Sequence, residues 1–287
     1  MPTPTSPIGV FDSGIGGLSV LQALREVLPG ERFVYLADSG NAPYGERGDA
    51  FVQARSARIT DWMRSQHDVK ALVIACNTAT AAAIDGLRDG NTGLPIIGVE
   101  PALKPAALHS KTHKVGVIAT QGTVSSHRFA ALQAANSAHT QFVVQACAGL
   151  ARAIEDSTRP SIPASQNATQ ITALCAQYTS AMGRFGSEPG QIDTLVLGCT
   201  HYVFAADTLR SLVGPEVTLV DTGTPVARRT YSLLHATGML RKQDVEAGAA
   251  ALEACQLFTT GDVSALRHAA EQWLGLPATC ASSAIIA

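Results

Sequence analysis

Two of the six cysteines, Cys76 and Cys199, stand in settings that the other four lack. Each directly follows an apolar run of strand length, ALVIA before Cys76 and TLVLG before Cys199, and each directly precedes a helix-forming stretch. A thiol in that place lies at the carboxyl edge of an α/β sheet, where ligands bind. The positive end of the following helix is expected to lower its pKa and favour thiolate. Hydrogen-bonding residues follow both: Asn77 and Thr78 after the first, Thr200 and His201 after the second. A lone cysteine is more often a small buried hydrophobe, but two at equivalent places weaken that reading. Cys147, Cys175, Cys255 and Cys280 read as structural. A zinc site using Cys199-x-His201 with Cys76 fits no compact ligand spacing and has no clear fourth ligand, so no metal is expected.

Three polar turns could serve the same edge. FDSGIGGLS places Gly14-x-Gly16-x-x-Ser19 between a strand and a helix, with Asp38 closing the next strand, as in a dinucleotide fingerprint. The match is imperfect: Ser19 replaces the third glycine, and polar Asp12 and Ser13 precede the first. A tight turn whose glycines allow close packing is the plainer reading. SGNAPYGERG, Ser39–Gly48, is longer than a plain connection needs and carries Tyr44 and Gly45. Thr120-x-x-Thr123 offers hydroxyls and N–H groups suited to a small carboxylate, although an ST-turn explains Thr123 equally well. His67, His109, His113, His127, His139, His235 and His268 sit in polar or helical contexts, and solvent exposure is expected for them.

The elements that must position these groups alternate. Ile8–Asp12, Phe33–Asp38, Ala71–Ala75 and Leu94–Val99 read as strands, with helices at Leu18–Leu28, Phe51–Gln66 and Thr78–Arg88 between them. Such buried runs imply a parallel sheet with helices on both faces. The rhythm restarts with strands at Lys114–Ala119, Gln141–Ala146 and Thr194–Gly198, helices from Arg128 and over Ser165–Met182, and a polar irregular stretch at Glu155–Pro163. LVIACNTATAAAID and LVLGCTHYVFAAD agree in hydropathy and turn chemistry, as a duplicated half-domain would. Val217–Asp221, helices at Pro225–Thr237 and Ala265–Leu274, and a Leu257–Gly261 segment complete the pattern. Ala278–Ala287 gives only a weak structural signal.

Composition excludes several classes. The 287 residues suggest about two domains. Charged residues are 15%, against about 25% in typical soluble chains, and the formal net charge is −2 with no basic block, which argues against a nucleic-acid partner. Apolar residues at 46% argue against disorder. The longest apolar runs fall far short of the roughly 18 residues of a bilayer helix, so no membrane association is expected. The start lacks a basic and apolar leader, and the scattered cysteines suit free thiols in a reducing cytoplasm.

Taken together, FDSGIGG, ADSGNAPYG, ACNTATA, GVEPALKPA, ATQGTVSS and GCTH, in this order from Ile8 to Gly275, resemble the glutamate racemase family of the aspartate/glutamate racemase superfamily. The resemblance implies a cytoplasmic, cofactor-independent isomerase that converts L-glutamate to D-glutamate for peptidoglycan. It implies Cys76 and Cys199 as the two catalytic thiols, the first deprotonating D-glutamate and the second L-glutamate. Asp12 would assist Cys76 and His201 would assist Cys199. Ser13, Tyr44, Gly45, Asn77, Thr78, Thr123 and Thr200 would contact the substrate, with Asp12, His201 and Thr120 beside them. Glu155 stands where the family has an acidic helper, although the Pro and aromatic residues usual near it are replaced. The implied architecture is α/β with two pseudo-symmetric domains, each a mainly parallel sheet flanked by helices, and the active site in the interdomain cleft. Residues 1–100 with 213–287 would form the first domain and 101–212 the second. A homodimer is the expected assembly.

Two bases on opposite faces are also what the chemistry asks for, because an α-carbanion without a pyridoxal electron sink must be reprotonated from the other side. Other readings remain open. An aspartate racemase or sister isomerase would share both thiols. A silent amino-acid-binding module would need no paired thiols, and a dinucleotide enzyme would bind through Gly14–Ser19.

Overall fold

The computed structural model describes residues 2–241 and 255–286. They form two compact units: one comprises the chain up to Val99 and from Gly223 onward, the other Glu100–Thr222.

In the first unit, β1 (Ile8–Asp12) lies between β2 (Phe33–Ala37) and β3 (Ala71–Ile74), all parallel, with β4 (Ile96–Gly98) beyond β3. Every residue of β1, β2 and β3 is buried, as expected of continuous apolar runs covered by helices on both faces. Helix α1 (Leu18–Val27) buries Leu18, Val20, Leu21, Ala23 and Leu24. Helix α2 (Asp49–His67) turns Val52, Arg55, Ser56, Ile59, Thr60 and Met63 inward at helical spacing. Helix α3 (Asn77–Gly90) packs against α2.

In the second unit, β5 (Lys114–Ala119) lies between β6 (Gln141–Ala146) and β7 (Thr194–Gly198), with β8 (Thr218–Val220) beyond β7. The order β6-β5-β7-β8 repeats β2-β1-β3-β4 strand for strand, so the duplication read from the two cysteine stretches extends to sheet topology. Helices α4 (Leu103–His109), α5 (Gln121–Val124), α6 (His127–Asn136), α7 (Leu150–Asp156), α8 (Ala164–Ala181) and α9 (Ala206–Val213) complete this unit. Because β8 hydrogen-bonds to β7, residues 214–222 belong here, and the chain returns to the first unit later than the 213 expected from the sequence.

The returning chain forms α10 (Gly223–Ala236), which packs on α1. It then adds β9 (Cys255–Thr259) beside β2, α11 (Val263–Leu274), and β10 (Ala281–Ser283) beside β9. Among the described residues, the first sheet thus has two strands with no counterpart in the second. Two expectations are corrected, and one element went unread. Glu155 lies within helix α7 rather than in an irregular stretch. The segment Leu103–His109, quoted only as a motif, is helical despite Pro105. The weak tail forms the edge strand β10.

Candidate active site

In a parallel sheet of this order, the crevice opens where consecutive connections leave β1 in opposite directions, beyond the carboxyl ends of β1 and β3. Their register pairs Phe11 with Ile74; carried two residues further, it sets Ser13 beside Cys76. The Cys76 thiol donates to Ser13 Oγ at 3.6 Å and accepts from Ala79 N at 3.4 Å, which makes it the N-cap of α3. Asp12, 1% exposed, accepts from Ser13 N at 2.7 Å and Ser13 Oγ at 3.2 Å through one oxygen, and from Gly17 N through the other. Two amides of the glycine-rich turn are therefore committed to the protein's own carboxylate, which speaks against a pyrophosphate cradle there. A Cβ at Gly17 would stand 2.7 Å from Asp12 Cβ and 3.0 Å from Ala75 Cβ, so this glycine is required by close approach.

The expectation of a lowered thiol pKa fails at Cys76. Burial pushes the thiol up, the Asp12 carboxylate pushes it further, and the amide of Ala79 offsets only part. Cys76 therefore rests as a proton-bearing thiol. Next to it, the Asn77 side chain is 4% exposed, and neither its Oδ1 nor its Nδ2 has a protein partner. Buried polar groups are nearly always paired, and leaving one unpaired costs about 1–3 kcal/mol. An amide with an acceptor and a donor both unspent beside a thiol has the capacity to hydrogen-bond a polar ligand.

Tyr44 is held by a buried hub. Its hydroxyl donates to Asp38 Oδ2 at 2.5 Å, and Asp38 also accepts from Arg55 Nε and Nη2, each at 2.9 Å, from Thr260 Oγ1 at 2.8 Å and from Asn41 Nδ2 at 3.1 Å. Burial and then the Asp38 charge push the phenol well above its ordinary range, so Tyr44 stays neutral. Asp38, the acidic residue of the dinucleotide fingerprint, is spent on this hub.

The second unit repeats the corner with different partners. Register pairs Ala119 with Gly198, so Thr120 stands beside Cys199 as Ser13 stands beside Cys76. Cys199 precedes a 3₁₀ turn, Thr200–Ala205, with backbone angles of −142° and 138°, close to the −133° and 117° of Cys76. Its sulfur lies 3.7 Å from His201 Nδ1, and His201 Nε2 lies 2.7 Å from Glu155 Oε2, with all three residues buried. Burial by itself would lower the imidazole pKa. The contacts with Cys199 and Glu155 outweigh it and hold His201 well above its ordinary value. Glu155 thus orients an imidazole whose other nitrogen faces the thiol. Thr120 Oγ1 caps α5 by accepting from Thr123 N at 3.3 Å, and the two hydroxyls are 3.0 Å apart.

Residues 8–230 match the family described as Asp/Glu/Hydantoin racemase. The chain belongs to this family. Over 280 residues it is 42% identical to a glutamate racemase of Cupriavidus pinatubonensis, covering 98% of this chain and 96% of that one. A crystal structure of a glutamate racemase isoform from Bacillus anthracis superposes with a TM-score of 0.81 at 30% identity, covering 98% of both chains. A glutamate racemase from Francisella tularensis, solved in complex with D-glutamate, gives a TM-score of 0.78 at 26% identity over 99% of this chain and 98% of that one.

Within the racemase, the expected residues fall into two groups. Asp12, Ser13, Cys76, Asn77, Thr78, Tyr44 and Gly45 belong to the first unit's edge, and Thr120, Thr123, Glu155, Cys199, Thr200 and His201 to the second's. Burial pushes the structural thiols up, Cys147 and Cys255 to about 12 and Cys175 to about 11. Six of the seven remaining histidines are exposed. The exception, His67, is half-buried against Trp62 and Phe258. Among the described residues, no three His, Cys, Asp or Glu converge as metal ligands, and no helix is long and apolar enough to cross a membrane. Arg55 was not anticipated, although its place in the apolar stripe between Val52 and Ile59 was a readable signal.

Proposed function

We propose that this racemase interconverts L- and D-glutamate without a cofactor by proton transfer between Cys76 and Cys199. The observation that carries the reading is the duplicated strand–cysteine–helix corner, with equivalent backbone geometry and a hydroxyl at the same register in each copy. A single acid/base group would explain one such corner and not two. Similarity to glutamate racemases supports glutamate as the substrate. Peptidoglycan precursors would consume the D-product in the cytoplasm.

The two corners suit opposite states of one proton inventory. His201, whose pKa is raised by its contacts with Cys199 and Glu155, stands ready to exchange a proton with Cys199, which takes the α-proton of L-glutamate. Cys76, a thiol at rest, returns its own proton to the opposite face, which leaves thiolate and thiol exchanged. D-glutamate runs the same step backwards, with Cys76 as base. The unspent Asn77 amide, the Thr78, Thr123 and Thr200 residues and the Tyr44–Gly45 turn hold the carboxylates and ammonium. Donors aimed at the α-carboxylate stabilise the charge that builds on it during proton removal.

The deciding experiment is incubation with each enantiomer in D₂O without added cofactor, following the α-proton signal and optical rotation. Wild type should exchange and racemise both. Cys76→Ala and Cys199→Ala should each lose racemisation by about 10²–10⁴-fold or more, the usual contribution of one acid/base group. Exchange with aspartate in place of glutamate would move the reading to a sister racemase, and exchange with neither would overturn it.

A further inference from the structure

The edge strand β10 takes no part in the chemistry above, yet the residues after it reach the active-site loop. Ala284 N donates to the Thr259 carbonyl at 2.7 Å, and Ala284 and Ile286 lie against the apolar cluster that contains both Tyr44 and Cys76. The Ile286 carbonyl accepts from Arg55 Nη1 at 2.9 Å. The other two donors of that guanidinium, Nε and Nη2, grip Asp38, which in turn holds the Tyr44 hydroxyl. One rigid planar cation therefore links the tail to the carboxylate that fixes Tyr44. A second tie runs from the end of β9: Thr260 Oγ1 donates to Asp38 and accepts from Gly40 N at 3.1 Å. Contact here is close enough that a Cβ at Gly40 would stand 2.6 Å from the Thr260 carbonyl.

We infer that Arg55 and the tail segment Ala284–Ile286 are positioning elements for the loop Ser39–Gly48, so that docking of the tail sets the affinity for substrate. The inference rests on Tyr44 and Gly45 contacting glutamate. Losing the Ile286 carbonyl leaves a buried guanidinium donor unpaired and the fork free to tilt, and Asp38 with Tyr44 moves with it.

Ile286→Asp is the test, because a carboxylate against an apolar cluster pulls the tail into water. Its control is Ile285→Asp, at a side chain 94% exposed. Ile286→Asp should raise KM for glutamate roughly tenfold while kcat changes much less, since displacement of a substrate-positioning group weakens binding and alignment without removing a reacting group. Hydrogen exchange of the loop amides 39–48 should accelerate in the same variant. Arg55→Ala strips a buried carboxylate of its partner and can unfold the chain. Arg55→Lys, which keeps the charge and loses the fork, should fall between wild type and Ile286→Asp in loop exchange. A merely structural tail would lower the melting temperature and leave KM of the folded enzyme unchanged. The proposal is overturned if Ile286→Asp matches Ile285→Asp in both KM and loop exchange. Failure of wild type to act on glutamate would instead sink the functional reading, and the exchange comparison would still decide the coupling.

Discussion

At the residue scale, Asn77 and His201 bear on stability in opposite ways. Asn77 stabilises nothing in the fold through its amide, because both polar atoms are buried without a protein partner. Asn77→Leu, which keeps the branched heavy-atom skeleton without its polar atoms, should leave thermal stability unchanged or raise it by about 1–2 kcal/mol, while kcat/KM falls by about tenfold or more. A melting curve beside a racemisation assay checks both; joint loss of stability and activity would refute the binding role. His201 is stabilising in a pH-dependent way. Its folded pKa lies well above the ordinary 6.5, because Cys199 and Glu155 outweigh burial. The folded state therefore holds that proton more tightly than the unfolded chain. This contribution is complete below about pH 6.5 and is lost as pH rises through the raised value. In urea titrations, His201→Gln should cost more stability near pH 6 than at alkaline pH. Glu155→Gln removes one of the raising contacts, so an alkaline limb of kcat/KM governed by His201 should move to lower pH. Enantiomers are equal in free energy, so kcat/KM must fall equally in both directions. The asymmetry between the thiols can show only in kcat, in KM and in isotope effects.

At the element scale, the strand–turn–helix corner is the proposed unit of function, and glycine decides whether it closes. Gly17 gives its amide to Asp12 and leaves no room for a methyl, the nearest atoms being those of Asp12 and Ala75 rather than flexible chain ends. Gly17→Ala should destabilise by about 1–3 kcal/mol through overpacking. Its activity loss should exceed that of a stability-matched core variant, because Asp12 is the atom group displaced. Circular dichroism melts and kcat/KM on the same preparations check the claim. The corners were legible in the sequence, since an apolar run, a cysteine and a helix start are adjacent along the chain. The Asp38 hub was not. Asp38, Arg55, Thr260 and Ile286 are scattered over the chain, and only the parallel placement of β9 beside β2 and of β10 beside β9 brings them together. Local chemistry also misled at Cys76: helix polarity argued for thiolate, whereas burial and Asp12 dominate. The hydrophobic signal of the Ala281–Ser283 strand was weak because two of its three residues are exposed at a sheet edge.

At the scale of the whole molecule, four strands per sheet repeat in one order, and each sheet carries a cysteine just past the end of its third strand in that repeat. The sequence pattern conveyed the repeat because β-α-β rhythm is local. The later return of the chain to the first unit depended on β8 pairing with β7, a long-range choice that three residues cannot announce. A duplicated site that serves mirror-image substrates, as proposed, would have a thermodynamic signature. Any ligand bound by the folded state alone stabilises it by RT ln(1 + [L]/Kd), about 2.7 kcal/mol at one hundred times Kd. For a chain of this size that corresponds to a melting shift of several degrees, at roughly 2–4 °C per kcal/mol. In Cys76→Ala/Cys199→Ala, neither enantiomer can be converted, so each can be titrated separately. L-glutamate and D-glutamate should both raise the melting temperature of that double variant, and the added Asn77→Leu change should reduce both shifts. Stabilisation by one enantiomer alone, persisting at saturating concentration, would mean that the two corners do not serve a single two-faced substrate.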